Sequence, residues 1–215
     1  MDVAGNYDEH GYLHVRKLVP AEVAHAFLSA IKQGLGPEPL ELSTATAHGA
    51  QLKRPAFEIY GHQYQPMNFF LWALTPTISE LVGRDLLPTY NYFRIYREGD
   101  ICLVHSDRPS CEHSISLTLD YSDGAVWDLE VARDRTPRAQ PLIDEWGEVA
   151  HSSVGMQVGD AVVYQGVHHR HGRLTPNPNA WSAHLFLHFV ERGGPYEEYA
   201  FDKKLTAKPV NFEFV

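Results

Sequence analysis

Two short runs hold the residues that can do chemistry. His105-Ser106-Asp107 places an imidazole and a carboxylate two residues apart, and His168-His169-Arg170-His171 adds further imidazoles. On a strand, residues i and i+2 face the same side. His105 and Asp107 would then present two metal ligands together, with Ser106 facing away. A histidine returned beside them by a later strand completes two imidazoles and one carboxylate on one face. That donor set suits Fe(II) and leaves positions open for a co-substrate and O2. His171 and His169 share strand parity, and His168 has the opposite parity. The composition draws attention to the same region, since eight of the 13 histidines lie between Asp100 and Val190.

These residues need strands to position them, and the surrounding pattern supplies strands. Thr89–Arg97, Ile101–His105, Ser114–Asp120, Val126–Val131, Ala161–Tyr164 and Trp181–Val190 read as short strands. Glu98-Gly99-Asp100, Ser122-Asp123-Gly124 and Gly159-Asp160 punctuate them as turns. Such spacing without a helical period predicts a mostly β chain with flanking helices, a jelly roll of the cupin-like, double-stranded β-helix kind. Ahead of it, Gly11–Val19 alternates like a strand. A helix should start at Pro20, present Val23, Phe27, Leu28 and Ile31 on one face, and stop at Gly34. Gly34–Gln51, rich in Gly, Pro, Ser and Thr, reads as loop, and residues 34–64 and 133–152 read as lids over the site. Gln65–Leu74 and Pro76–Arg84 read as two helices, because Thr75-Pro76 looks like a cap followed by a first-turn proline. The expected layout is one domain over 1–215. It has a strand and helix layer over 1–88, a jelly-roll core over 89–190 and an aromatic tail over 191–215. Arg133–His151 is a polar insertion. The tail, with Tyr196, Tyr199, Phe201, Phe212 and Phe214, should pack on the core or on a partner such as a second copy.

Composition excludes other classes. With 215 residues, 44% apolar and 21% charged, the chain can bury a core and is not a disordered polyelectrolyte. A net charge of −9 argues against nucleic acid as partner. The longest apolar run, Phe69–Leu74, is too short to span a bilayer, so no membrane partner is expected. Cys102 and Cys111 form neither a disulfide framework nor a Cys-x-x-Cys motif. Met1–His10 is acidic and polar, unlike a signal peptide, and the expectation is a soluble cytoplasmic protein.

Taken in order, the motifs resemble the Fe(II)/2-oxoglutarate-dependent dioxygenases, nearest to their prolyl-hydroxylase-like branch. The carriers are GYLHVRKLVPAEVAHAFLSAI, YFRIYREGDICLVHSDRPSC, SISLTLDYSDG and GDAVVYQGVHHRHGR. The resemblance implies Fe(II) held by His105, Asp107 and His171, 2-oxoglutarate as co-substrate with O2, and release of succinate and CO2. It also implies hydroxylation of an unactivated C–H in a small molecule or amino-acid-like substrate. His171 is favoured over His169 because the distal histidine in relatives follows the Tyr-x-Gly turn, here Tyr164-Gln165-Gly166, by several residues. The sequence departs from the family at the far carboxylate of 2-oxoglutarate. A basic residue is expected about ten positions past the distal histidine to pair with that carboxylate. Trp181, Ser182 and Ala183 stand there instead. Arg173, on the same face as His171, and Tyr96 are the cofactor-binding candidates, with His184 a weaker substitute. Alternatives are a peptidyl, prolyl-type hydroxylase, or a cupin-like metalloenzyme without 2-oxoglutarate.

Other conspicuous residues read as structure. His113, His184 and His188 suit packed strand positions, and Tyr90, Tyr92 and Tyr96 suit β packing. Phe69, Phe70 and Trp72 suit the core. Arg108 suits either an anionic substrate at the mouth or a solvated loop. Cys111 has no activator, and Asp120 and Asp123 belong to a turn.

Overall fold

The structure, a computed structural model, describes residues 1–38, 41–42, 47–137 and 140–203. Among the described residues, eleven strands and three α-helices follow in the order β1 (Asp2–Asn6), α1 (Tyr7–His10), β2 (Tyr12–Arg16), α2 (Ala21–Gly34), β3 (Phe57–Tyr60), α3 (Pro66–Val82), β4 (Leu86–Arg97), β5 (Cys102–His105), β6 (His113–Tyr121), β7 (Leu129–Ala132), β8 (His151–Val154), β9 (Ala161–Tyr164), β10 (His171–Arg173) and β11 (Trp181–Glu191). They form a seven-stranded antiparallel sheet, β1-β2-β9-β6-β11-β4-β3, and a four-stranded one, β5-β10-β7-β8. This is the expected jelly roll with flanking helices. The first 88 residues supply β1, β2 and β3 to the large sheet as well as the helices.

The large sheet has two different faces, and period-2 alternation assigns them. Phe93 and Ile95 of β4, Ile115, Leu117 and Leu119 of β6, and Leu185, Leu187 and Phe189 of β11 join Ile31 of α2 and Leu71 and Ile78 of α3 in the main apolar core. The intervening residues point the other way, toward the small sheet. They are Tyr92, Arg94 and Tyr96 on β4, Ser114, Ser116 and Thr118 on β6, and His184, Phe186 and His188 on β11. Nearly all of them are buried. A buried sheet face this rich in polar groups is costly unless each group has a partner. That cost locates the site on this inner face.

Several expectations change. Gln65–Leu74 and Pro76–Arg84 are one helix, α3, with Pro76 inside it. The buried positions Met67, Leu71, Ile78 and Val82 form one stripe running past the proline. Their packing outweighs the lost backbone bond. The Thr75 hydroxyl donates to the Leu71 carbonyl at 3.1 Å within the helix rather than capping a new one. Phe69 and Trp72 are not core residues. They are 64% and 39% exposed and meet edge to face on the solvent side. Within the expected lid segment 34–64, Phe57–Tyr60 pairs with β4 as a sheet strand, Phe57 opposite Ile95 and Ile59 opposite Phe93. The polar insertion ends in β8. Asn6, whose side chain accepts from the amides of Asp8 and Glu9, starts the unforeseen α1. Of the aromatic tail, the 3-10 segment Glu197–Lys203 lies against β4 and β11. Phe212 and Phe214 lie outside the described residues.

Phe189 is fully buried in the main core. Phe189→Ala is expected to lower the unfolding free energy by about 3–5 kcal/mol. Val3→Ala, on the exposed β1, should change it by less than about 0.5 kcal/mol. Chemical denaturation of both variants checks this.

Candidate metal centre and its cavities

β10 lies between β5 and β7, with His171 opposite both His105 and Val131. Two residues further along β10, Arg173 is opposite Cys102, three residues back on β5. The extra residue on β5 is a bulge, which re-aims side chains. Its effect is that Cys102 and His105 line the same inner cavity as His171 and Arg173. Gly172 passes so close to β5 that a Cβ there would stand 2.9 Å from the Cys102 carbonyl oxygen. Asp107 follows β5 in an extended loop. Its amide donates to the Gly166 carbonyl at 2.8 Å, which ties this loop to the turn before β10.

The three expected ligands therefore meet. Asp107 Oδ1 lies 3.6 Å from His105 Nε2, and Asp107 Oδ2 lies 3.5 Å from His171 Nε2. The donor atoms of the three residues all lie within 4.8 Å of one another. Each imidazole is oriented by its own backbone. His105 Nδ1 bonds the Leu103 carbonyl at 2.8 Å, and His171 Nδ1 bonds the His169 carbonyl at 2.9 Å. A ring nitrogen that donates to a carbonyl carries the proton, so Nε2 keeps its lone pair for a metal. The Ser114 hydroxyl donates to Asp107 Oδ2 at 3.1 Å and orients the carboxylate. Ser114 Oγ also lies 2.9 Å from Nδ1 of His188, which stacks on Tyr90. Burial would raise the Asp107 pKa, but His171 and His105 outweigh it and hold the carboxyl well below its usual range. Burial would lower His105, but Cys102 and Asp107 push it up to about 10. The donor set, two imidazoles and one carboxylate, is borderline-hard and opens onto a cavity, which fits a divalent iron-type ion.

His169 and His168 do not join this set. The segment before His171 is a turn, not a strand, so parity does not apply to it. His169 Nδ1 bonds the Ala132 carbonyl at 2.9 Å, and its ring packs where Gly11 leaves room. His168 Nδ1 bonds the Thr136 carbonyl at 3.1 Å.

The inner cavity is narrow, about 20 Å³, and two buried arginines face it. Arg173 is 1% exposed. It donates to the Trp127 carbonyl and, at 3.4 Å, to the Ser116 hydroxyl, and lies 4.6 Å from the Trp127 ring centroid. No carboxylate pairs with it among the described residues. Arg94, which the motif reading passed over, is ion-paired with Glu58 and donates to the Tyr96 hydroxyl at 2.7 Å. Burial opposes its charge, and Tyr92, Tyr96 and Glu58 outweigh that and raise its pKa. The signal for Arg94 was present in the sequence. Tyr92-Phe93-Arg94-Ile95-Tyr96 puts a cation between two tyrosines on one strand face, and Arg94 pairs with His184 on the strand that lacks the expected basic residue. Burial, then Arg173 and Arg94, hold His184 neutral, so it cannot serve as the cation.

Beyond Tyr90 and Tyr92 lies a larger cleft of about 600 Å³, whose walls include Tyr60, Trp72, Tyr90 and Arg108. Cys111 is buried, and burial pushes its thiol up to about 12, in keeping with an inert residue. Among the described residues no helix is long and apolar enough to cross a membrane.

No family model matches the sequence, and no curated protein matches it. Solved structures do match in fold. The chain is similar to the non-haem α-ketoglutarate-dependent carbocyclase SnoK from nogalamycin biosynthesis, with 13% identity and a TM-score of 0.62 over 96% of this chain and 91% of that one. It is similar to HygX from Streptomyces hygroscopicus with nickel and 2-oxoglutarate bound, with 8% identity and a TM-score of 0.62 over 86% and 84%. It is also similar to a Pseudomonas putida prolyl-4-hydroxylase, with 18% identity and a TM-score of 0.54 over 87% and 96%. Identities this low establish the fold, and the reaction has to be argued from the site.

Two outcomes follow for metal binding. A Cβ on Gly166 would stand 2.4 Å from Asp107 Oδ2 and 2.5 Å from the Cys111 carbonyl oxygen. Gly166→Ala should weaken Mn(II) binding at least ~10-fold, read by calorimetric titration. Because His105 holds its proton up to about pH 10 in the metal-free protein, a metal must displace that proton. Apparent affinity should rise with pH, by up to about tenfold per unit for one proton, between near-neutral pH and that pKa.

Proposed function

We propose that the chain is a non-haem Fe(II)- and 2-oxoglutarate-dependent oxygenase acting on a small molecule. The observation that carries the reading is the convergence of His105 Nε2, Asp107 and His171 Nε2 beside a cavity that Arg173, two residues on from His171 along β10 and without a carboxylate partner among the described residues, also lines. The reading is supported by the fold shared with SnoK, HygX and the bacterial prolyl-4-hydroxylase. Bound there with 2-oxoglutarate and O2, iron would supply the coupled oxidation of co-substrate and substrate, with release of succinate and CO2.

The roles of the chain's own residues follow from the site. His105, Asp107 and His171 hold the metal from one side and leave the cavity side open. Arg173 takes the far carboxylate of 2-oxoglutarate. Its charge is buried, and its present partners are a carbonyl, a hydroxyl and an aromatic face. A buried cation without a counter-anion is costly, and exchanging the carbonyl for a carboxylate removes that cost. Arg94 is less suited to this role because Glu58 already neutralises it. Tyr96 accepts from Arg94 and keeps its own proton, which burial secures by raising the phenol pKa. Its hydroxyl can therefore donate to the same carboxylate. The cupin-like alternative rests on the missing basic residue near Trp181–Ala183, and the buried Arg173 lining the cavity supports the reading with 2-oxoglutarate instead. Trp127, Phe186 and Tyr92 exclude water from the inner cavity, and the larger cleft admits the substrate.

Purified protein given Fe(II), 2-oxoglutarate and O2 should release succinate, at an uncoupled rate even without substrate. His105→Ala should reduce that rate at least ~100-fold, and His169→Ala should leave it within about threefold. Arg173→Gln should raise the KM for 2-oxoglutarate at least ~10-fold, with kcat changed less than about threefold. No succinate from the wild type would sink the reading, and an unchanged KM in Arg173→Gln would move the anchor elsewhere.

A further inference from the structure

A second group of donors lies outside both cavities. Glu112, His113 and Glu191 each offer one ligand atom, and these atoms all lie within 4.8 Å of one another. The strands explain why they meet. His113 opens β6 opposite Phe189 of β11, and Glu191 lies two residues beyond Phe189 on the same sheet face. Ser114, the next residue on β6, has the opposite parity and turns toward Asp107. The group is therefore separate from the centre formed by His105, Asp107 and His171.

Two features of this group are unsettled. The first is a lone pair. His113 is 5% exposed. Its Nδ1 lies 2.7 Å from the Tyr7 hydroxyl, and the two rings stack with centroids 5.9 Å apart. Its Nε2 is buried without a hydrogen-bond partner and stands 4.0 Å from Glu112 Oε2. Native folds rarely leave such an atom unsatisfied. The second is charge. Among the described residues, no Lys or Arg stands at ion-pair distance from Glu112 or Glu191. Arg84 is taken by Asp8, and Arg135 acts on Glu112 only from farther away. Burial, then Arg84 and His168, lower the His113 pKa to about 4, so its imidazole is neutral near pH 7 and offsets neither carboxylate.

A divalent cation answers both needs, because it accepts the Nε2 lone pair and offsets the two carboxylates. One imidazole and two carboxylates are ligands that Zn(II) takes, with water in a fourth position. With bonds of about 2.1 Å, neighbouring donors around a tetrahedral ion stand roughly 3.4 Å apart. The 4.0 Å between His113 Nε2 and Glu112 Oε2 is within about 1 Å of that spacing. Glu112 is already oriented, since its Oε2 accepts from the Glu191 amide at 2.9 Å.

We propose that Glu112, His113 and Glu191 bind Zn(II) in a structural site that joins the start of β6 to the end of β11. His113 ligates through Nε2, and its Nδ1–H then donates to the Tyr7 oxygen, which fixes the tautomer. The site does not depend on the oxygenase reading.

The experiment titrates Zn(II) into the full-length His105→Ala/His171→Ala variant by calorimetry, since those substitutions remove two of the three ligands of the other centre. One equivalent should bind with a Kd below about 10 μM. Glu191→Gln in that background, which removes a charge and keeps the shape, should weaken binding at least ~10-fold. Glu112→Gln, whose amide oxygen can still accept from the Glu191 amide, should do the same. Mg(II) at about 10 mM should change the Zn(II) affinity less than about threefold, because Mg(II) prefers oxygen ligands and keeps its waters. No Zn(II) binding up to about 1 mM, or an affinity unchanged by both Glu→Gln substitutions, would overturn the proposal. Full competition by Mg(II) would also overturn it, by removing His113 from the ligand set.

Discussion

The pairing of His171 on β10 with His105 on β5 is the constraint on which the site depends. Side chains alternate across a strand, so a slip of one residue would turn His171 and Arg173 out of the cavity together. Several contacts fix this register. β10 is held on both edges, by β5 and β7. Gly172 allows the close approach to β5, and the Asp107 amide is tied to the Gly166 carbonyl across the two loops. The bulge in β5 adds Cys102 and His105 to one wall. The backbone carbonyls of Leu103 and His169 then set both imidazoles with Nε2 inward. The ligand geometry is therefore built into the main chain, and the side chains have little freedom left to lose on binding a metal.

Charge follows the same economy. Two guanidinium groups are buried on the inner face, a situation that costs several kcal/mol per ion unless compensated. Arg94 is compensated within the fold by Glu58 and lies between 5.1 and 5.5 Å from the rings of Tyr92, Tyr96 and Phe186. Arg173 has only partial compensation, from neutral acceptors and the Trp127 ring. The fold thus keeps one cation paired with a carboxylate and one without such a partner among the described residues, both lining one small cavity. The polar hydroxyls of Ser114, Ser116 and Thr118 make that arrangement tolerable by partnering His188, Arg173 and His184.

Much of this was legible in the sequence, and the exceptions have physical reasons. The strands of the core are visible because β4, β6 and β11 alternate between an apolar helix side and a more polar inner side, and β9 is a short apolar run between turn signals. His105, Asp107, His171, Tyr96 and Arg173 were named from motif order and strand parity, and all of them line one cavity. Parity misled at His169, because the turn over 166–169 breaks the alternation before β10 begins. Arg94 is not marked by the motifs because its partner Glu58 sits on β3, a four-residue strand inside the segment 34–64 that reads as a lid. Proline signals overstated a break at Pro76, where a continuous buried stripe on α3 decides the outcome. The apolarity of Phe69 and Trp72 suggests the core, whereas their place on α3 leaves them exposed. Tertiary contacts settle such cases, and local propensity does not contain them.

In the proposed site, His105, Asp107 and His171 would hold a metal to which 2-oxoglutarate binds. Anaerobic absorption spectroscopy tests it without any knowledge of the substrate. Wild-type protein mixed with Fe(II) and 2-oxoglutarate in the absence of O2 should develop a visible charge-transfer band that needs both components. His171→Ala should abolish the band, and His169→Ala should keep it. No band in the wild type, or a band that survives His171→Ala and disappears in His169→Ala, would contradict the account.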